Sequence, residues 1–101
     1  MIGYDFNGVV DTEKFVPTVE DVIITSNHNI ESKKATLEWL RNHGIICAVY
    51  FNPYSHDPIS GGNWKAEIIN KLKIRKFYED DPVQMEIIKK LCPNVEIIAV
   101  L

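Results

Sequence analysis

The sequence predicts an α/β fold: a three-layer, Rossmann-like sandwich on a central five-stranded parallel sheet. Five short runs, 2–6, 22–25, 45–51, 76–79 and 95–100, are largely apolar at successive positions. That pattern suits strands buried on both faces. Helix patterns alternate with them from residue 31 onward, the order that parallel crossovers require. Turn chemistry separates the runs, with no repeat, low-complexity tract or linker, and a length of 101 residues predicts one domain over 1–101.

Taken in order, the first strand, 2–6, enters a Gly turn at Gly8. The second, 22–25, is almost wholly β-branched and lies between Glu20-Asp21 and the polar stretch Ser26-Asn27-His28-Asn29. A helix over 31–43 sets Leu37 and Leu40 on one face, with Gly44 where a C-terminus favours glycine. The strand 45–51 closes at Asn52-Pro53, and a helix over 64–72 carries Ile68, Ile69 and Leu72 at helical spacing. After the strand 76–79, Asp81-Pro82 is a strong start signal, an N-cap acid followed by Pro at the first helical position. The helix 82–91 carries Val83, Ile87, Ile88 and Leu91, Pro93 follows it, and 95–100 is the last strand.

Composition narrows the function classes. A hydrophobic fraction of 46% with 25% charged residues is ordinary for a water-soluble globular protein. A net charge of −3 provides no global field for nucleic acid or an anionic membrane, and the run Lys71, Lys73, Arg75, Lys76 reads as a solvated helix end. No apolar run approaches the ~20 residues of a membrane span, and no basic leader precedes an apolar stretch. Cys47 and Cys92 match no metal motif and read as reduced, mostly buried thiols of a cytoplasmic protein.

In open parallel sheets, ligands bind at the carboxyl ends of the strands. There the sequence sets Asp5, Asn7 and Gly8 after the first strand and Thr25, Ser26 and Asn27 at the second. Glu79, Asp80 and Asp81 follow at the fourth, and Lys65 stands at the start of a helix. Carboxylates facing each other on neighbouring strands repel unless a cation lies between them. Hard oxygen ligands of this kind suit Mg2+, which takes one or two carboxylates plus phosphate oxygens. A Lys and a hydroxyl nearby would hold the remaining phosphate oxygens. A carboxylate there can also attack phosphorus.

This set resembles the haloacid dehalogenase superfamily of aspartate-nucleophile phosphatases over nearly the whole chain. "YDFNGVV" resembles its first motif, "VIITSN" the second, "NWKAEIINKL" the third and "KFYEDDP" the fourth, in the family's order. The resemblance implies that Asp5 is the nucleophile and a metal ligand. It implies that Asn7 offers its backbone carbonyl to the metal, and that Thr25 bonds a phosphate oxygen, with Ser26 the alternative and Asn27 beside it. Lys65 would neutralise nucleophile and phosphate. Asp80 would complete the Mg2+ site, with Asp81 the alternative, although its place before Pro82 already explains Asp81 as a helix cap.

The sequence departs from the family at Asn7. The resemblance implies an acid there that protonates the leaving oxygen and then activates water, and an amide does neither. Positioned proton transfer is worth ~10²–10⁴-fold, so turnover is expected to be slow or atypical unless Asp11, His28 or Glu79 substitutes. Ordinary structural roles are open to each: an exposed turn acid, a polar-loop residue and a strand-edge cap. A substrate with a good leaving group, such as an anhydride or acyl phosphate, needs less acid help. Residues 12–21 and 52–63 are too short for the cap domain that usually encloses the substrate, so the resemblance is to capless members. Tyr54, His56 and Trp64 could stack on a base or sugar. Trp64 also suits the core beside the Lys helix.

The expected function is therefore a Mg2+-dependent phosphohydrolase. Its partner would be a phosphorylated small molecule or an exposed phosphorylated macromolecule, with nucleic acid not indicated and no membrane. An edge strand at "VEIIAVL" is compatible with a homo-oligomer. The alternative is a catalytically inactive phospho-ligand or protein-binding module on the same fold. A receiver-like domain is a third reading, disfavoured because "VYFNPYS" has no acid at the end of the third strand.

Overall fold

The computed structural model describes residues 1–55 and 57–101. Strands β1 (Ile2–Tyr4), β2 (Val22–Thr25), β3 (Ala48–Phe51), β4 (Lys76–Glu79) and β5 (Glu96–Ala99) form one parallel sheet in the order β3-β2-β1-β4-β5. Helices α1 (Ile30–Asn42), α2 (Pro58–Leu72) and α3 (Pro82–Leu91) lie in the later connections, and a 3₁₀ turn, Val10–Thr12, lies between β1 and β2. The α/β architecture with a five-stranded parallel sheet is present and compatible with a Rossmann-like fold.

Side-chain alternation builds the layers. Val22 and Ile24 of β2 and Phe77 of β4 pack with Ile68 and Ile69 of α2 and Ile88 of α3. Ile23 of β2 and Tyr4 of β1 pack on the other side with Leu40 of α1 and with Phe6, Val9 and Val10. β2 is apolar at successive positions because both of its faces are fully buried. An aromatic group adds to the α1 side: Tyr4 stacks on Tyr78 with ring centroids 5.0 Å apart, and Phe15 tilts against Tyr78 at 4.8 Å.

Several elements differ from expectation. α2 begins at Pro58, not Trp64, with Asp57 as its N-cap accepting from the Ser60 N–H. Lys65 therefore stands about two turns inside the helix rather than at its start. β1 ends at Tyr4, so Asp5 and Phe6 belong to the turn, and β3 begins only at Ala48. Leu37 is 47% exposed, because α1 turns Thr36 and Leu40 inward. On α3, Val83 and Leu91 are about half exposed and the buried pair is Gln84 and Ile88, four residues apart. Gly44 follows α1 at φ +66°, the left-handed conformation expected after a helix end.

Lys71, Lys73 and Arg75 are exposed at the end of α2 and beyond it, as a solvated helix terminus requires, and Lys76 is half-buried in β4. Both cysteines are free. Cys92 is buried with its thiol against the Ala66 carbonyl at 3.4 Å. Cys47 is half-buried, and burial together with the Asp21 charge pushes its thiol up to about 11. Among the described residues, no helix is long and apolar enough to cross a membrane.

Asp21 ties the start of β1 to the loop before β2. Its carboxylate accepts from the Ile2 N–H at 3.2 Å and from the Thr18 N–H and hydroxyl at 2.9 and 3.1 Å. Partial burial opposes ionisation, but these bonds and the N-terminal charge hold its carboxyl below the ordinary 3.8. A lowered folded-state value contributes stability above the ordinary value and loses it as pH falls through the folded value. Asp21→Ala is expected to cost about 1 kcal/mol in urea unfolding at pH 7, with the difference from the natural chain shrinking at pH 3.

Candidate functional site

The site follows from strand order. The chain runs from β1 outward to β2 and β3, then returns to β4 on the other side of β1. Order therefore reverses between β1 and β4, where a crevice opens at the carboxyl edge of such sheets. Tyr4 pairs with Tyr78, and the Asp5 N–H extends the ladder by donating to the Tyr78 carbonyl at 2.9 Å. Asp5 and Glu79 thus arrive side by side.

Lys65 projects from α2 toward this point and is fully buried. Its ammonium donates to Asp5 Oδ1 at 2.9 Å and to Glu79 Oε1 at 2.6 Å, and lies 6.0 Å from the centre of the Phe77 ring. Phe77 and Glu79 alternate onto the same face of β4, which is why Glu79 meets α2. Glu79 Oε2 accepts from the N–H groups of Asp80 and Asp81 at 3.0 and 3.3 Å. Both Glu79 oxygens are therefore engaged, and Asp5 is the member of the trio that lines the cleft.

One buried cation faces more than one negative charge here. Burial raises the Asp5 carboxyl well above the usual carboxylate range; the Glu79 charge adds to this, and Lys65 offsets only part of it. Burial alone would lower the Lys65 ammonium, but Asp5 and Glu79 hold it above its ordinary value. Burial and Glu79 likewise raise Asp80, against a hydrogen bond with Asp5 that lowers it. Asp5, Glu79 and Asp80 each bring one carboxylate oxygen within 4.8 Å of the others. This donor set fits a hard divalent cation, with Asp5 and Asp80 as the carboxylates that retain capacity and the exposed Asn7 on the same cleft.

Gly8 makes room for that arrangement. Its φ is +81° and its N–H donates to Asp11 Oδ1 at 2.8 Å. A Cβ on Gly8 would collide with Asp80 Oδ2. Asp81 serves α3 instead. Its Oδ1 accepts from the Val83 N–H at 2.8 Å and the Gln84 N–H at 3.4 Å, capping that helix. The geometry brings Asp80, not Asp81, to Asp5, although Asp81 lines the same cleft.

The cleft holds about 350 Å³. Asp5, Asn7 and Asp80 form one wall, Ser26 and Asn27 a second, and Asp57-Pro58 with Asp81 and Gln84 the ends of α2 and α3. Thr25 is not on it: fully buried, it uses its hydroxyl to accept from the Asn27 N–H at 3.1 Å. Ser26 is the hydroxyl brought to the cleft. Asn27 is fixed by donating from Nδ2 to the Thr36 hydroxyl at 3.0 Å. Lys65 also lies behind Asp5 rather than on the cleft wall.

Two supporting residues are hard to see in the sequence. Glu79 reads there only as a substitute proton carrier or strand-edge cap. Asn52 is fully buried, donating from Nδ2 to the Ser55 carbonyl at 2.9 Å and the Ser26 carbonyl at 3.4 Å, and accepting from the Tyr54 N–H at 2.8 Å. Its own N–H meets the Asn27 carbonyl at 3.1 Å, so it ties the β3 loop to the cleft wall. A polar residue at or directly after the end of an apolar strand is the signal that both carry. Of the other proton-carrier candidates, Asp11 closes the Gly8 turn and His28 contacts the Asn52 carbonyl at 3.2 Å, both off the cleft lining. Trp64 packs in the core with Tyr54 edge-on at 6.0 Å, and His56 lies outside the described residues. Comparison of the chain with family models, curated proteins and solved structures found no match.

Removing one member of a buried ionic network leaves the others uncompensated, at a cost of about 3–5 kcal/mol. Lys65→Met is expected to lose that much in chemical denaturation. Asp81→Ala, which removes a helix cap, is expected to lose about 1 kcal/mol.

Proposed function

We propose that this chain is a divergent, capless haloacid dehalogenase-like protein that hydrolyses phosphate esters or anhydrides through Asp5, with Mg2+ as cofactor. The observation that carries the reading is Asp5 on the wall of a cleft, backed by Lys65 at 2.9 Å and flanked by Asp80. Asp5, Asp80 and the backbone carbonyl of Asn7 would hold the Mg2+, which supplies charge neutralisation to an anionic substrate.

In the proposed reaction, a carboxylate oxygen of Asp5 forms a bond to phosphorus as the bond from phosphorus to the leaving oxygen breaks. The electron pair departs on that oxygen. Water then attacks phosphorus, phosphate is released, the Asp5 carboxylate is regenerated and the proton passes to solvent. Ser26 and Asn27 orient phosphate oxygens, and Lys65 holds the reacting carboxylate from behind. Asn7 carries no transferable proton, so the leaving oxygen takes one from water or departs as a stable anion. This favours anhydrides and acyl phosphates over alkyl esters. Only 52–57 separates β3 from α2, so the cleft stays open to a small phosphorylated molecule or to an exposed phosphate on a macromolecule. Free thiols at Cys47 and Cys92 fit a reducing, cytoplasmic compartment.

One observation favours a second reading. Asn7 is exposed on the cleft, where the chemistry wants a titratable group, so the site suits a module that binds a phosphorylated ligand without turning it over.

Phosphate release from an acyl phosphate and an aryl phosphate in Mg2+ separates the two. A hydrolase is expected to release phosphate from the acyl phosphate, to lose this in Asp5→Asn, and to gain about 10²-fold or more on the aryl ester in Asn7→Asp. No release from either substrate by the natural chain, with activity in Asn7→Asp, establishes the binding module. Mg2+ titration by calorimetry should weaken in Asp5→Asn and Asp80→Asn but not in Asp81→Asn; equal affinity in all of them refutes the Asp5–Asp80 site.

A further inference from the structure

A second cleft opens at the amino edge of the sheet, where α2 and α3 end and the chain enters β4 and β5. It holds about 620 Å³. Its lining reverses the charge of the first cleft. Lys73 and Arg75 contribute two cations, Asn70 and Asn94 two amides, and among the described residues no carboxylate lines it. The buried Ile69 and Ile74 and the half-buried Val95 supply its apolar surface. The chain as a whole carries a net charge of −3, so this is a local reversal and not a general basicity.

Cations gather at helix ends because terminal carbonyls attract them. Here, carbonyls of both ends are already met: that of Ile69 accepts from the Ile74 N–H at 3.0 Å, and that of Leu91 from Asn70 Nδ2 at 3.0 Å. Among the described residues, the side chains of Lys73, Arg75 and Asn94 make no hydrogen bond, and neither cation has an ion-pair partner. Lys73 also caps α2 in the left-handed conformation, at φ 56° and ψ 45°. Glycine adopts that conformation without steric cost and lysine does not. No contact of the Lys73 side chain within the described residues offsets the strain. An anion held by its ammonium would.

We propose that this cleft binds a nucleoside phosphate, at a site separate from Asp5 and independent of the function proposed above. Two neighbouring cations without a counter-charge match a phosphate dianion, which the guanidinium fork of Arg75 and the point charge of Lys73 both suit. A cleft of this volume accommodates a mononucleotide. Asn94, together with the Asn70 oxygen, offers donors and acceptors to the edge of a base, while the apolar surface packs against its face. A bare sugar phosphate leaves the amides and the apolar surface unused. With no carboxylate on the lining, the site needs no divalent cation. The nucleotide comes either free or as part of a short oligonucleotide; a long polyanion is opposed by the net charge.

Calorimetry with AMP in EDTA tests the site apart from any Mg2+-dependent one. AMP is expected to bind about tenfold tighter than adenosine, which lacks the phosphate, and than ribose 5-phosphate, which lacks the base. Arg75→Gln and Lys73→Gly should each weaken AMP about tenfold. Lys73→Gly should at the same time raise the urea midpoint, because glycine relieves the left-handed cap, so its weaker binding cannot be a failure to fold. Asn94→Ala should weaken AMP and leave ribose 5-phosphate unchanged, and Asp5→Asn should bind AMP as the natural chain does. AMP binding at least as tightly as tetra-adenylate supports a free nucleotide, and tighter tetra-adenylate binding that still requires Lys73 and Arg75 supports an oligonucleotide. If AMP does not bind, or binds equally to Arg75→Gln and Lys73→Gly, the inference fails. It fails equally if ribose 5-phosphate matches AMP, which leaves no role for a base, or if Asp5→Asn abolishes binding, which moves the ligand to the other cleft.

Discussion

The ammonium of Lys65 lies within hydrogen-bond distance of Asp5 and Glu79, with all three side chains withdrawn from water. In such surroundings a charge that lacks a partner costs several kcal/mol, so each position constrains the other two. α2 must present Lys65 to the sheet, β1 must end at the level of β4, and Glu79 must face α2. The constraint extends through Glu79 into α3, because its second oxygen receives the N–H groups of Asp80 and Asp81. One carboxylate thereby fixes the counter-charge of Asp5, the placement of Asp80 and the residue that caps α3. Rigid support of this kind is what a reactive carboxylate needs to keep its geometry.

Close helix packing makes the rest of the cleft. Gly61 and Gly62 let α2 approach α3, where a Cβ on Gly62 would meet Ile87 Cδ1 at 3.0 Å. Both helices begin at the carboxyl edge of the sheet, and each is started by an Asp-Pro pair. Their N-termini carry partial positive charge, which the two capping aspartates already engage. The cleft is consequently acidic at its rim and polar on its walls. Charge on a ligand, more than its size, is what such a lining discriminates.

Much of this is legible in the residues. Continuous apolar runs identify a sheet covered on both sides, and Asp81-Pro82 locates the start of α3 to the residue. The same Asp-Pro signal at Asp57-Pro58 starts α2, but Gly61-Gly62 resembles a loop, and the apolar spacing points to a helix only from Trp64. Those glycines are interhelical contacts rather than breakers, a fact that lives in α3 and not in the local sequence. The faces of α1 and α3 depart from expectation for a related reason. Periodicity chooses Leu37 and Val83, whereas packing turns Thr36 and Gln84 inward, each with a hydrogen bond at stake. Among the candidate site residues, the structure brings Asp5 together with Lys65 and Asp80, and Thr25 gives its hydroxyl to the backbone of the loop that displays Ser26 and Asn27. Glu79 is the least legible, because a strand-end glutamate looks solvent-facing until a lysine from another element is known to lie beneath it.

Asn7 gains its meaning from this setting. The cluster of Lys65 and three carboxylates carries excess negative charge, which a proton or a cation must balance. Nothing in that balance involves the Asn7 side chain, which is exposed and outside the buried network. In the proposed reaction, positioning of Asp5 and its counter-charge is thus physically separate from proton transfer to the leaving group. An amide at position 7 removes the second without disturbing the first. Under the proposed function, what decides between turnover and retention of a ligand is the basicity of the leaving oxygen: a weakly basic one departs without an acid, and a strongly basic one stays bound to phosphorus.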